Sequence, residues 1–493
     1  MTQSRRTALT ERVRRVPPPL AALLAVAAIL GVAWALVLPA WQAPDENSHY
    51  GYVQSLVDGP GLPGEPDRSA LSSEQMLSSD AVNADQTASS LPTKPEWNPA
   101  SETAWLQAIG KLTDAQRGDG GGPNAARSNP PLAYLLYAIP YAATSSGSPF
   151  ARLEAMRLFG VIWLLMTVAC TWALAGEVFG RRPLLQLTAA AIPGLTAMPM
   201  FIGASVSPDG LMFALWTAAL WLGARLLRRG LTVGRGVAFF AVVGLACWVK
   251  ATSYALLPGA LLAFALALWR TRDLRVGSLA RLALPAGATL VALVGGWVVL
   301  ARALARPASE QLTNVATASG LDVRELGSYL WQFYLPRLPF MQDFFSSVPT
   351  MPIYHTVLKG SWARFGWLEV VFPQPVYLVL SAVSVAVIGA AVTALWRARA
   401  RLDRGMLAFF VLVLLTLLAG LHWQEYRLLL AGAGAFMQGR YLFPLIGLAG
   451  LVAAAALLAL PQRWRGRAVA VLLSGLFGLQ LFSLGAVLER FYA

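Results

Sequence analysis

The chain has 493 residues, of which 56% are hydrophobic and 13% charged, and its mean hydropathy is +0.55. With apolar runs of about twenty residues recurring along the chain, this composition excludes an ordinary soluble protein and indicates a polytopic membrane protein. A formal net charge of +14 is also typical of nucleic-acid-binding proteins, but here the arginines form short clusters between the apolar runs, as in cytoplasmic loops of membrane proteins. We therefore expect a lipid bilayer, and no nucleic acid, as the partner of these charges.

Hydropathy predicts an all-α bundle of about eleven transmembrane helices. The predicted spans are 20–38, 155–178, 184–203, 210–227, 236–249, 254–269, 279–304, 376–396, 406–421, 441–460 and 468–488. Arginine clusters occur in the tail 1–19 and at every second connection, which predicts a multi-pass protein of the cell membrane with a cytoplasmic N-terminus.

Two long connections are then external. Loop 39–154 is rich in acidic and small polar residues, and it precedes the helices of 155–305. Its segment 130–143 is apolar but short and contains Pro140, so we expect a helix along the outer leaflet. Loop 306–375 precedes the helices of 376–493 and carries many aromatic residues. We expect its Trp and Tyr residues to stack on sugar faces or to seat the lipid.

The most informative motif is Pro-Asp-Glu-x-x-His at 44–49, just beyond the first span. Two adjacent carboxylates and a histidine are costly at a membrane surface, so the motif indicates a functional site. Asp45 and Glu46 are the candidate catalytic residues, and His49 is a candidate substrate-binding residue. The alternative is a plain helix start, since Pro and acidic residues suit a first helical turn. The sequence leaves both interpretations open.

Other unusual polar residues fall on the same predicted external side. They are candidates for substrate binding, and they are Asn129, Asp209, Lys250, Tyr254, Arg364, Arg440 and Tyr441. Structural alternatives remain: Ser-Pro-Asp at 207–209 can cap a helix, Lys250 can extend its amine to the interface, and Arg440 can anchor a span end.

These residue types predict a particular chemistry. The cations at 250, 364 and 440 suit a phosphate or pyrophosphate, while a nearby carboxylate can take a proton from a hydroxyl or bind a divalent ion. Together they indicate group transfer from a phosphate-bearing donor at a membrane surface, and a lipid-phosphate sugar is such a donor.

The order of motifs resembles that of a known family. An Asp-Glu pair after the first span, a long acidic loop, Asn-Pro-Pro-Leu-Ala-Tyr at 129–134 and Arg-Leu-Phe-Gly-Val at 157–161 resemble the GT-C superfamily of integral-membrane glycosyltransferases. Together with the 207–209 and 250–254 segments, Phe-Gly-Trp at 365–367 and Gly-Arg-Tyr-x-x-Pro at 439–444, they are similar to the bacterial membrane family catalogued as domain of unknown function 2142. The resemblance covers nearly the whole chain.

The resemblance implies a GT-C fold, a polyprenyl-phosphate or polyprenyl-diphosphate sugar donor, and inverting transfer to an envelope glycan, lipid or protein acceptor at an external active site. It implies that Asp45 or Glu46 serves as base or metal ligand. We assign no metal ligand, because no second acidic cluster exists beyond Asp209; GT-C members differ in their need for a divalent cation, which leaves Mg or Mn open.

Two other classes of function fit a membrane protein of this kind. A lipid-linked glycan transporter or flippase would also need basic residues, but we would expect polar sites on both membrane sides. A non-catalytic envelope-assembly protein would not depend on Asp45 or Glu46.

Overall fold

The structure is a computed structural model that describes residues 16–271, 275–304, 322–345, 351–432 and 434–493. Within these ranges the regular structure is helical, apart from an isolated pairing of Phe365 with Val370. The all-α class is therefore confirmed. Most of the basic tail 1–19 and the segments 305–321 and 346–350 of the aromatic loop lie outside the described residues.

The polytopic architecture is also confirmed. Nine helices of the described ranges are long and apolar enough to cross a membrane: Pro18–Val37, Pro149–Phe179, Pro208–Arg229, Ala251–Trp269, Val276–Ala303, Gln374–Arg397, Arg404–Leu430, Gly439–Ala459 and Gln462–Tyr492.

Two of the eleven predicted spans differ from simple helices. The span 184–203 is a pair of helices, Pro183–Leu195 and Ala197–Gly203, bent by 58°. Pro199 has no N–H to donate to the carbonyl four residues earlier, which favours the break. The span 236–249 is the helix Val233–Cys247, whose 15 residues rise roughly 22 Å, less than the ~30 Å of a hydrocarbon core. The described ranges thus hold nine or ten spans, not eleven.

The acidic loop is a packed layer of short helices. Its helices are Glu46–Val57, Ser73–Ala81, Ala84–Ser89, Pro99–Gly110, Asp114–Arg117 and Leu132–Ala143. Several begin at a capping side chain, as where Ser72 accepts the Gln75 N–H. The buried Glu74 carboxylate accepts two hydrogen bonds from Arg152, at 2.8 and 3.1 Å, and so ties this layer to the span Pro149–Phe179.

The segment 130–143 contains the expected short helix. Leu132–Ala143 buries Tyr134, Tyr137 and Tyr141 on one face and exposes Leu135 and Ile139 on the other. The spacing of three and four residues is that of an amphipathic helix. Its position along a lipid leaflet stays a prediction.

The described part of the aromatic loop is buried at some side chains and exposed at others. Phe333, Phe345 and Phe365 are buried in the hydrophobic core, whereas Trp331 and Tyr334 are 40% and 37% exposed. The role of the tryptophans and tyrosines in binding a sugar or a lipid stays a prediction. The described part of the loop forms the helices Val323–Tyr334, Tyr354–Lys359 and Gly360–Trp362.

The spans alternate in direction, so the bundle has two distinct ends. Arg270 donates to the Leu227 carbonyl at 2.6 Å and to Asp403 at 2.7 Å, which joins three span termini at what we call the arginine end. At the opposite end, which we call the site end, Tyr492 donates to the Val37 carbonyl at 3.0 Å. The motifs at 44–49, 207–209, 250 and 439–441 all lie at the site end.

Candidate functional site

The turn after the first span orients Asp45. Trp41 and Asp45 both have left-handed backbone conformations, with φ of 58° and 60°. Such angles are uncommon outside glycine, although aspartate tolerates them better than most residues. Asp45 directly precedes the helix Glu46–Val57, yet its side chain makes no capping hydrogen bond. Its Oδ2 instead accepts from Nη2 of Arg440 at 3.1 Å, so the carboxylate is directed into the site and not onto the helix.

Glu46 has a different environment. Its fully buried carboxylate accepts from Nε and Nη2 of Arg157 at 2.8 and 2.5 Å, and its Oε1 also accepts the Val206 N–H at 3.0 Å. The Asp45 side chain, by contrast, is 39% exposed. Of the two candidate catalytic carboxylates, the structure therefore leaves only Asp45 accessible to another molecule.

Asp209 and Lys250 form the second ion pair of the site. Ser207 caps the helix Pro208–Arg229 by accepting the Asp209 N–H at 3.2 Å, as the capping interpretation predicts. The cap uses the Ser207 hydroxyl and not the Asp209 carboxylate. That carboxylate instead accepts a hydrogen bond from Nζ of Lys250 at 2.6 Å. Lys250 is thus paired with a buried carboxylate, which differs from an amine that merely reaches for the interface.

Tyr441 connects the two ion pairs. Its ring centroid lies 5.8 Å from Nζ of Lys250 and 5.4 Å from Cζ of Arg440. Cations at this distance from an aromatic face are stabilised by its quadrupole. The pairs Asp45–Arg440 and Asp209–Lys250 therefore meet at one aromatic side chain.

His49 lies beside both pairs. Its Nδ1 is 2.9 Å from the Tyr134 hydroxyl, which also accepts from Nδ2 of Asn129 at 2.9 Å. Burial lowers the pKa of His49 to about 4; Asp45 opposes this shift and Lys250 adds to it. The imidazole is consequently neutral at physiological pH, and it can serve as a hydrogen-bonding group but not as a cation.

A pocket opens beside Arg440. Its polar lining includes Arg364, Gln438 and Gly439, with Met198, Thr356, Gly360, Leu368 and Met437 completing the wall. Nε of Arg364, Nε of Arg440 and Oε1 of Gln438 are buried and have no hydrogen-bond partner among the described residues. Buried polar atoms are ordinarily paired, so three orphans at one pocket indicate a ligand that would pair them.

Glycine permits the wall of this pocket to close. A Cβ added to Gly439 would lie 2.5 Å from the carbonyl carbon of Gly360, so the two backbone segments touch only because the side chain is absent. Glu425 fixes the preceding segment by accepting the N–H groups of Phe436 and Met437, both at 2.8 Å.

Sequence reasoning placed most, but not all, of these residues. Tyr254 makes no hydrogen bond to the site residues within the described ranges, and its hydroxyl is buried without a partner there. Arg157, Tyr134 and Gln438 belong to sequence motifs of this chain, but the sequence alone assigned none of them to the site. For Arg157 a signal existed, because an arginine at the start of an apolar span demands a partner.

The donor set does not fit a divalent metal ion. Within the described ranges no group of three or more His, Cys, Asp or Glu residues could hold one. Mg²⁺ and Ca²⁺ prefer several oxygen ligands, whereas Asp45 and Asp209 each face a cationic side chain.

Comparison with known proteins identifies the family. Residues 28–449 match the family described as predicted membrane protein (DUF2142). The chain belongs to this family. No curated protein matches this DUF2142 member.

Three solved structures resemble the DUF2142 chain. ArnT from Cupriavidus metallidurans in the apo state has 17% identity and a TM-score of 0.39, over 69% of this chain and 51% of ArnT. The ArnT structure bound to undecaprenyl phosphate has 15% identity and a TM-score of 0.44, over 96% and 74%. The apo Archaeoglobus fulgidus oligosaccharyltransferase has 11% identity and a TM-score of 0.45, over 96% and 55%. The chain thus spans about half the length of the first and third of these. With every TM-score below 0.5, the likeness bears on no individual residue.

Proposed function

We propose that this protein is a GT-C-type glycosyltransferase that moves a sugar from a polyprenyl-phosphate or polyprenyl-diphosphate lipid to an envelope acceptor on the external membrane face. One observation carries the proposal. A partly exposed carboxylate, Asp45, is held against Arg440, and Arg440 lines a pocket whose buried arginine and glutamine atoms have no partner among the described residues.

Asp45 acts as the general base. Its Oδ2 accepts from Arg440, so Oδ1 receives the proton of the acceptor hydroxyl as the acceptor oxygen attacks the anomeric carbon of the donor. The bond between that carbon and the phosphate oxygen breaks, and its electron pair leaves with the phosphate. General base catalysis of this kind contributes on the order of a hundred- to ten-thousand-fold.

The cations stabilise the leaving phosphate. Arg440 and Arg364 both line the pocket, and Nζ of Lys250 lies 5.8 Å from the Tyr441 ring centroid. Prearranged positive groups at the point where negative charge develops lower the barrier, because they need no reorganisation during the reaction. Neutral His49 and Asn129 supply hydrogen bonds to sugar or acceptor hydroxyls.

The carboxylates favour inversion. Retention by double displacement, as in retaining glycosidases, uses a second carboxylate as nucleophile about 5 Å from the first. The nearest candidates are occupied: Glu46 is buried against Arg157, and Asp209 is buried against Lys250. A single accessible carboxylate suits direct displacement with inversion at the anomeric carbon.

The charge distribution supports an external site. The arginine end carries the clusters that the positive-inside rule assigns to the cytoplasm, and the site lies at the opposite end. A donor attached to a lipid suits that face, because nucleotide sugars are not supplied there.

The test compares two carboxylates that both pair with arginine. A deletion strain is complemented with wild type, Asp45→Asn or Asp403→Asn, and its envelope glycans and polyprenyl lipids are analysed by mass spectrometry. We expect Asp45→Asn to lose the glycan at least about a hundred-fold, with the lipid-linked sugar accumulating, and Asp403→Asn to restore it.

Full complementation by well-expressed Asp45→Asn would contradict the enzyme assignment and favour a non-catalytic assembly role. A lipid-linked sugar that stays on the inner leaflet of the deletion strain would favour the transporter.

A further inference from the structure

Arg157 lies at the start of the span Pro149–Phe179 and reaches the end of the first span. Its Nη1 donates to the Leu38 carbonyl at 2.5 Å, and its Nη2 donates to the Pro39 carbonyl at 2.9 Å. The same guanidinium binds both oxygens of Glu46. The Glu46 side chain is fully buried and the Arg157 side chain is only 4% exposed, so neither can touch a substrate.

The contacts of this guanidinium bracket the strained turn. Trp41 and Asp45, the two residues of this turn with left-handed backbone conformations, lie between the carbonyls of residues 38 and 39 and the carboxylate of residue 46. Such conformations persist only where the surrounding structure fixes them. Arg157 fixes both ends of the segment that presents Asp45.

The Glu46 carboxylate also contacts the turn that precedes Asp209. Its Oε1 accepts the Val206 N–H at 3.0 Å, three residues before Asp209. On the same turn the Tyr137 hydroxyl donates to the Ser207 carbonyl at 3.2 Å. One buried carboxylate thus connects the turn that carries Asp45 with the turn that carries Asp209.

We propose that Glu46 and Arg157 form a positioning pair that sets the Asp45 and Asp209 carboxylates for glycosyl transfer; this inference rests on the proposed function. Glu46 is then a positioning residue and not a second base. A displacement of about 1 Å at a reacting group is enough to lower a rate roughly a hundred-fold, so a small relaxation of the turn is visible in turnover.

The chain contains a matched control. Arg152 lies on the same span and binds both oxygens of buried Glu74 at 2.8 and 3.1 Å. Its side chain is 6% exposed, similar to that of Arg157, but its contacts are with Glu74, Tyr141 and Gly147 and not with the 38–46 turn. A lysine at either position removes the two-pronged contact, because an ammonium is a point charge.

The experiment uses purified full-length protein in lipid nanodiscs. Arg157→Lys and Arg152→Lys are compared by melting temperature, by equilibrium binding of undecaprenyl phosphate, and by turnover and KM with the polyprenyl-lipid extract of the deletion strain as donor. We expect both variants to lose similar thermal stability and to bind undecaprenyl phosphate within about twofold of each other. Only Arg157→Lys should lose turnover, by tenfold or more, with little change in KM.

Equal turnover in the two variants would overturn the proposal, because the Glu46–Arg157 pair would then be merely structural. Asp45→Asn, measured alongside, separates the two hypotheses. If it is active, the proposed function itself fails; if it is inactive while Arg157→Lys matches Arg152→Lys, only the positioning role fails.

A second pair of variants covers a failure to fold. If Arg157→Lys does not yield folded protein, the isosteric Glu46→Gln is compared with Glu74→Gln in the same assays. A selective loss of turnover in Glu46→Gln supports the positioning role, and matching turnover in the two contradicts it.

Discussion

The two ends of the bundle use charge in different ways. At the arginine end the pair Arg270–Asp403 is exposed, with 37% and 35% of the two side chains accessible. At the site end the pair Arg157–Glu46 is buried, and Lys250 and Arg440 are 22% and 9% exposed. Exposed pairs contribute about 0–1 kcal/mol, whereas removing one partner of a buried pair costs about 3–5 kcal/mol.

The difference separates orientation from chemistry. Exposed arginines need no fixed partner to orient a protein in a membrane, because orientation depends only on how many arginines lie on each side of the bilayer. Buried cations must each be matched, and the site end supplies a carboxylate for each of Arg157, Lys250 and Arg440. A charge that is expensive to bury is retained where a specific geometry is needed.

The largest effect should come from labelling the two ends. In a variant with Cys170 and Cys247 replaced by alanine, Ala104→Cys lies on the acidic loop and Ala400→Cys lies at the arginine end, both exposed. An impermeant thiol reagent added to intact cells should label the cysteine at 104 and not that at 400, which should react only after permeabilisation. The opposite pattern would invert the topology and place the site in the cytoplasm.

The next largest effect should be a difference in stability between variants that lose an ion pair at the site end and at the arginine end. Lys250→Met leaves the buried Asp209 carboxylate without its partner, so we expect a loss of about 3–5 kcal/mol. Arg270→Met breaks an exposed pair and should cost about 0–1 kcal/mol. Unfolding in detergent micelles measures both.

Adding Asp209→Asn to Lys250→Met removes the unpaired charge and should restore part of the lost stability. If Lys250→Met and Arg270→Met were equally mild, the burial contrast between the ends would be wrong.

Much of the fold followed from hydropathy, because lipid-facing helices must be apolar along their whole length. The exceptions occur where local backbone chemistry intervenes. The break near Thr196 depends on Pro199, and the helix Val233–Cys247 ends two residues before the predicted span 236–249 does. Hydropathy measures how apolar a stretch is, but not where its hydrogen-bond ladder stops.

The site followed from sequence only in outline. Aspartate, lysine and arginine beside membrane spans indicated a site, but pairing depends on contacts between residues far apart in the chain, such as Asp45 with Arg440. The roles of Asp45 and Glu46 could not be separated either, since adjacent carboxylates look alike until the left-handed turn directs one outward and the other into the protein. The roles of the two carboxylates became distinct only when their partners, which are distant in the sequence, were known.

The smallest expected effect concerns pH, and it too should distinguish the ends. Burial lowers the pKa of His49 to about 4 from an ordinary 6.5, with Asp45 opposing the shift and Lys250 and Arg440 adding to it. At the arginine end, partial burial acts to raise the pKa of Asp403, but hydrogen bonds from Arg270 and the backbone outweigh it and the pKa is lowered. Asp403 therefore stays ionised between pH 5.5 and 7.5. His49 differs, because its imidazole has a lower pKa in the folded protein than in the unfolded chain.

Above pH 6.5 the imidazole is neutral in both states and pH has no effect through it. Below pH 6.5 the unfolded chain takes up a proton that the folded protein refuses until about pH 4, so stability falls as pH falls through this window. At pH 5.5 the loss through His49 is on the order of 1 kcal/mol. His49→Gln should therefore lose less thermal stability than wild type between pH 7.5 and pH 5.5, whereas Asp403→Asn should follow the wild-type pH dependence. An identical acid shift in wild type and His49→Gln would mean that His49 is solvated, and it would remove the neutral imidazole from the site.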